Sequence, residues 1–172
     1  MEQVAAKGHQ VFERLQSLPS WHAARCVALY AAQTFEVPTA QPLQALLQLK
    51  KRLCFPSSFS SFPSLALVHA WDDLEADSYG ILCPKAYCPP VSMAEVELVV
   101  VPGVAFAKNG ARLGRGGGFY DRLLAHPEMR ALRVGLCFDE CLRESLPEEE
   151  GDQRMDWVIS DQQSLLCRAA SP

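Results

Sequence analysis

Apolar positions fall into short runs separated by polar segments rich in proline, glycine and serine. Val4, Val11, Phe12 and Leu15 give a partial 3.6-residue stripe, which predicts a helix over 3–18 that Pro19 stops. The run CVALYAA predicts a strand over 26–32. A second helix is predicted over 41–51, with Pro42 in its first turn and Leu43, Leu46, Leu47 and Leu49 on its inner face. Further strands are predicted over 52–56, 65–71, 96–101, 132–138 and 157–160, and short helices over 118–124 and 140–145. The unbroken valines at 99–101 imply burial on both faces, as in a parallel sheet. Segment 57–64, SSFSSFPS, reads as a loop, and the proline-bearing segment 81–90 as a connection. Strands alternating with helices predict an α/β fold, a three-layer sandwich with a mostly parallel central sheet. Ligands of such sheets gather beyond the carboxyl ends of the strands.

Composition narrows the function more than the fold. A chain of 172 residues, 49% hydrophobic, suffices for one domain over 1–172 with a sizeable core. The formal net charge of −4 gives no reason to expect a nucleic-acid partner. No apolar stretch reaches the ~20 residues of a membrane span, so no membrane partner is expected. The seven cysteines contain no CxxC pair. Cys26, Cys54 and Cys137 sit in apolar runs and read as small buried hydrophobes. Reduced thiols suit the cytoplasm, with the mitochondrion as the alternative. The acidic run DDLEAD at 72–77 is either a metal site or a solvated turn or short helix, and the absence of EF-hand spacing favours the latter.

The densest chemistry lies at 99–122, VVVPGVAFAKNGARLGRGGGFYDR. Gly114, Gly116, Gly117 and Gly118 let backbone amides approach a bound group with no Cβ in the way. Arg112 and Arg115 add planar donor forks that match phosphate oxygens. Asp121 follows, where a carboxylate suits Mg²⁺ beside phosphates. The loop is neither a Walker A sequence nor a dinucleotide fingerprint. By itself it is either a phosphate cradle, for a nucleotide or a sugar phosphate, or a tight connection. Phe119 and Tyr120 either stack on a flat ligand ring or pack in the core.

The string PGVAFAKNGARLGRGGGFYDR is similar to the signature of 5-formyltetrahydrofolate cyclo-ligases, also called methenyltetrahydrofolate synthetases. Weaker resemblance continues through VALY at 27–30, FEVPT at 35–39, SYGI at 78–81 and LP at 146–147 with Asp152 and Asp156. It spans roughly 10–161 and is sharp over 96–122. The resemblance implies an ATP- and Mg²⁺-dependent enzyme that phosphorylates the formyl oxygen of 5-formyltetrahydrofolate and closes the ring to 5,10-methenyltetrahydrofolate, releasing ADP and phosphate. It further implies that the loop from Arg112 through Leu113, Gly114, Arg115, Gly116, Gly117, Gly118, Phe119 and Tyr120 to Asp121 holds the ATP. Arg115 would steady the transferred phosphoryl group, Asp121 and Asp156 would serve the magnesium, and Glu36 and Tyr120 would contact the folate. Phe55, Phe59 and Phe62 either line the pterin pocket or cover the sheet. The family usually opens with a basic helix whose Lys and Arg reach the ATP. Here the helix near residues 11–18 aligns with the family's second, and Lys7 has no Lys-x-x-x-Arg pattern around it. Weakened nucleotide binding is therefore expected, and a catalytically impaired folate- or nucleotide-binding relative is the alternative. A monomer is expected.

Overall fold

The computed structural model describes residues 2–39, 45–46, 48–58, 62–78 and 80–167. Helix α1 (Glu2–Ser17) turns Val11, Phe12 and Leu15 into the core, while Val4 lies on its exposed side. Pro19 does end α1, but it also opens a one-turn helix α2 (Pro19–Ala23), because proline is well suited to a first helical position. Lys51 closes the end of α2: its Nζ donates to the Trp21 carbonyl at 2.7 Å and lies 5.5 Å from the centre of the buried indole ring.

The main sheet contains β1 (Cys26–Ala28), β2 (Arg52–Ser58), β3 (Ser64–Val68), β6 (Pro90–Val91), β7 (Leu98–Val101), β10 (Leu132–Leu136), β12 (Trp157–Ile159) and β13 (Ser164–Leu166). Its order is β13-β12-β10-β7-β1-β2-β3-β6. The five strands from β12 to β2 are parallel, and antiparallel pairings bring in β13, β3 and β6 at the two sides. All four residues of β7 are buried, as its valines predicted. Alternate residues divide the core between the faces. Val27, Leu53, Leu98, Val100 and Val134 pack with Val11, Phe12 and Leu15 of α1. Cys26, Ala28, Cys54, Val99 and Val101 pack with Leu123 and Leu124 of helix α3 (Phe119–Leu124). Helix, sheet and helix make the three layers.

Several elements differ from expectation. Only 26–28 pairs as a strand; beyond it the chain leaves the sheet, and the Tyr30 hydroxyl donates to the Val37 carbonyl at 3.0 Å. Within segment 57–64, Ser57 and Ser58 belong to β2 and Ser64 to β3, with Ser58 paired to Ser64; residues 59–61, Phe59 among them, lie outside the described residues. So do Leu43 and Leu47; Ala45 and Leu46 are helical, Leu46 is fully buried, and Leu49 is exposed. The strand predicted over 65–71 stops at Val68, and Trp71–Asp73 form a 3₁₀ turn. Asp73 serves that turn: its carboxylate accepts the His69 and Ala70 amides at 2.8 and 2.9 Å and the Tyr87 hydroxyl at 2.8 Å. The acidic run then continues into β4 (Leu74–Ala76), which pairs with β5 (Leu82–Pro84). Thus the presumed connection carries two short strands, β5 and β6, with their prolines near the sheet margin, where a missing N–H is tolerated. Residues 140–145 are not a helix. A 3₁₀ turn (Asp139–Cys141) leads into β11 (Leu142–Arg143), which finds a partner in β8 (Ala105–Ala107). With β9 (Arg112–Leu113) these form a small second sheet, β11-β8-β9. The seven cysteines are free, with Cys26, Cys54 and Cys137 buried. Among the described residues no helix is long and apolar enough to cross a membrane.

The carboxyl ends of β10 and β12 are joined by polar contacts. Asp139 accepts the Ser160 hydroxyl at 2.7 Å and the Gln163 amide at 3.1 Å, and Asp161 accepts the Asp139 N–H at 2.8 Å. The Ser160 and Gln163 hydrogen bonds, the former most, hold the Asp139 carboxyl below its usual range. A depressed folded-state pKa gives stability that is present above the unfolded carboxyl value of about 3.9 and is lost as pH falls through the folded value. The urea midpoint is therefore expected to drop between pH 7 and pH 3 by less in Asp139→Asn than in the wild type. Equal drops would remove Asp139 from the acid sensitivity.

Candidate active site

The parallel strands deliver their connections to one end of the sheet. The segment after β1, the segment after β7 and the loop between β9 and α3 meet there around a cavity of about 570 Å³, within the size range of small-molecule sites. Residues 147–152 supply a further wall through Pro147, Glu149 and Asp152.

The β8–β9 hairpin positions the loop. Its turn holds Asn109 and Gly110, with Gly110 at φ +89°, and the Asn109 side chain accepts the Ala111 N–H at 3.0 Å. Gly110 also accepts the Met155 N–H at 2.8 Å, which ties the turn to the strand region before β12. From β9 the chain enters the glycine run. Gly116 and Gly118 have φ of +84° and +60°, the left-handed region that favours glycine. Hypothetical Cβ atoms at Gly116 and Gly117 would meet nothing within 4 Å, so this backbone borders open space. Arg122 secures the end of the run by donating to the Gly117 carbonyl at 2.9 Å.

Arg112 faces inward. Its side chain is only 6% exposed; Nη2 donates to Asp121 Oδ2 at 2.8 Å and Nη1 to the Pro102 carbonyl at 3.4 Å. The guanidinium lies 5.7 Å from the Tyr120 ring centre, and a Cβ on Gly114 would come within 2.7 Å of Nη1. Arg112 Nε is buried with no hydrogen-bond partner. Arg112 thus braces β7, the loop and α3 against one another. Asp121 is correspondingly engaged, its other oxygen accepting the Gln153 N–H at 3.1 Å.

Arg115 is different. It is 46% exposed, and its Nη2 lies 3.4 Å from Oε1 of Glu36, which is 11% exposed. The other Glu36 oxygen accepts the Gln33 N–H at 2.8 Å. Two residues from opposite halves of the chain therefore face one cavity and touch. Tyr120 joins both core clusters and lines the cavity, and its ring meets Phe119 edge-on at 5.1 Å. Burial, reinforced by Glu36, pushes the Tyr120 pKa well up, so the phenol keeps its proton. Leu113 and Phe119 also line the cavity.

Asp156 is not brought to the cavity. Its carboxylate accepts the Arg133 N–H at 2.8 Å at the junction of β10 and β12, one step from Arg133, which donates to the Gln153 side chain at 3.1 Å. It fixes strand ends; Gln153, not Asp156, reaches Asp121. Among the polar lining groups, Tyr30, Gln33 and Glu149 were given no site role by sequence reasoning. Tyr30 and Gln33 precede Glu36 by six and three positions, but apolar or polar character alone did not mark them. Among the described residues no group of three or more His, Cys, Asp or Glu is placed to hold a metal ion. The described lining contains Arg112, Arg115 and Arg122 against Glu36, Asp121, Glu149 and Asp152. This acidic balance suits a cation that arrives on an anionic ligand and takes one protein carboxylate, the usual manner of Mg²⁺ with nucleotides.

A cavity beyond the carboxyl ends of a parallel sheet, with a glycine- and arginine-bearing loop at its wall, marks an α/β protein with a small-molecule site. A family model described as the 5-formyltetrahydrofolate cyclo-ligase family matches residues 1–161, and the chain belongs to that family of enzymes. The 5-formyltetrahydrofolate cyclo-ligase of Escherichia coli (strain K12) is 32% identical over 164 residues, covering 92% of this chain and 90% of its own length. The solution structure of Aquifex aeolicus 5,10-methenyltetrahydrofolate synthetase superposes with a TM-score of 0.84 at 31% identity, covering 96% of this chain and 83% of that one. A 5,10-methenyltetrahydrofolate synthetase from Mycoplasma pneumoniae shares the fold, with a TM-score of 0.71 at 18% identity over 94% of this chain and 88% of its own.

Proposed function

We propose that the cavity binds ATP and 5-formyltetrahydrofolate together and cyclises the folate to 5,10-methenyltetrahydrofolate. The formyl oxygen attacks the γ-phosphorus, the bond to ADP breaks, and ADP leaves. The neighbouring folate nitrogen then attacks the activated formyl carbon and loses its proton, and phosphate departs with the former formyl oxygen. The observation that carries this reading is the placement of Glu36 and the 112–121 loop on one cavity, in contact through Arg115.

The amides of Gly116–Gly118 line the phosphates, and Arg115 follows the transferring phosphoryl group. Phosphoryl transfer needs chiefly such positioning and charge cancellation. Arg112 supports this indirectly, by fixing Asp121 and the Tyr120 ring. Asp121 is the carboxylate suited to Mg²⁺ carried by the nucleotide, where the ion would neutralise charge developing between the phosphates. Glu36 accepts from pterin N–H donors, and the protonated Tyr120 closes the wall beside it. Holding the folate nitrogen against the activated carbon supplies proximity, worth on the order of 7–11 kcal/mol. Every residue this reading uses comes from one chain, so a monomer is sufficient, and a cytoplasmic setting supplies both substrates.

Purified protein with ATP, Mg²⁺ and 5-formyltetrahydrofolate is expected to generate the near-ultraviolet absorbance of methenyltetrahydrofolate, with no rise when ATP or Mg²⁺ is omitted. A folded sample that gives no rise with all three present would contradict the reading.

A further inference from the structure

We infer that the Arg115–Glu36 ion pair couples the two ligands, so that binding of the nucleotide strengthens binding of the folate and the reverse. The inference rests on the functional reading above and adds a property of the site. In the free protein the residue assigned to the phosphoryl group and the residue assigned to the pterin occupy each other. Glu36 is fixed on one oxygen by the Gln33 N–H at 2.8 Å, and the other oxygen faces Arg115 at 3.4 Å. That separation is longer than the roughly 2.7–2.9 Å of a strong charge-assisted hydrogen bond, so the pair can be exchanged for better partners. Arg115 is the half with room to turn: it is 46% exposed against 11% for Glu36, and is followed by Gly116, whose backbone borders open space.

A triphosphate offers the guanidinium more negative charge than one carboxylate and a geometry its fork matches. Once Arg115 turns to the phosphates, the Glu36 oxygen is free to accept from the pterin ring. A pterin seated first on Glu36 releases Arg115 in the same way. Each ligand therefore removes a competitor of the other, and linkage requires the two effects to be equal in size. The expected gain is about fivefold or more in affinity, at the lower end of typical couplings between sites.

The test is a calorimetric titration of the intact protein with the Mg²⁺ complex of a β,γ-imido ATP analogue, without and with saturating 5-formyltetrahydrofolate. Wild type is expected to bind the nucleotide at least about fivefold more tightly when folate is present. Glu36→Gln is expected to bind nucleotide alone more tightly than wild type and to show no gain on adding folate. Glu149→Gln removes a carboxylate from the same cavity but keeps the ion pair, so its gain is expected to persist. Equal nucleotide affinity in wild type with and without folate would overturn the coupling, and this result needs no variant to fold. Loss of the gain in Glu149→Gln as well would also overturn it, by assigning the effect to net charge. Failure of folded wild type to bind one of the ligands at all would instead defeat the functional reading, and the coupling with it.

Discussion

Arg115→Ala is expected to lower turnover by about a thousandfold, the lower range for an arginine that balances charge on a transferring phosphoryl group. The same change should barely alter stability. Arg115 is 46% exposed, and its one ion pair, to Glu36 at 3.4 Å, is partly solvated. Such pairs contribute about 0–1 kcal/mol. Function and folding therefore separate at this position, as they do not at Arg112, which is buried against Asp121 and the Pro102 carbonyl. Steady-state rates and thermal unfolding on one preparation decide the matter. A melting temperature several degrees lower with unchanged specific activity in the folded fraction would show that Arg115 works for the fold instead.

Gly110→Ala is expected to cost about 2–5 kcal/mol, combining left-handed strain of roughly 1–2 kcal/mol with overpacking of about 1–3 kcal/mol. Gly110 has φ +89°, and a Cβ there would lie 2.4 Å from the Met155 carbonyl oxygen and 3.0 Å from the Cys167 side chain. The first obstacle is backbone in the segment leading to β12, so no rotamer change relieves it. Moving the turn away would break the Met155 N–H to Gly110 hydrogen bond of 2.8 Å. Because β9 carries Arg112 out of this turn, a displaced hairpin should loosen the site as well. Chemical denaturation measures the cost; a change under about 0.5 kcal/mol, the level of an ordinary surface substitution, would show that the turn adapts freely.

The hairpin also shows where sequence reasoning fell short. Asn-Gly between AFA and ARL is a strong short-range hairpin signal, yet both flanks are brief, and neither Ala105–Ala107 nor Arg112–Leu113 is predicted as a strand. Residues 140–145 failed for a related reason. Six residues hold too little periodicity to separate helix from strand, and the decision came from β8 offering a free edge to β11. The parallel centre was legible because strands buried on both faces must be apolar throughout, as in β7.

For the site, glycine and arginine content located the loop but did not reveal direction. Arg112 and Arg115 look alike in sequence; one turns into the protein to hold Asp121, the other faces the cavity. Asp156 likewise carries the right charge, but lies where β10 needs an acceptor for the Arg133 amide. Glu36 and Arg115 meet because β1 and β7 are parallel neighbours that deliver their following segments to the same end of the sheet. That contact is a product of topology, which local composition does not encode.

In the proposed reaction the loop of small residues receives the nucleotide's phosphates beside a folate. A crystal structure with the β,γ-imido analogue, Mg²⁺ and 5-formyltetrahydrofolate decides this placement. The terminal phosphate is expected against Arg115 and the amides of Gly116–Gly118, with the pterin on Glu36. A triphosphate bound elsewhere, with Arg115 still paired to Glu36, would contradict it.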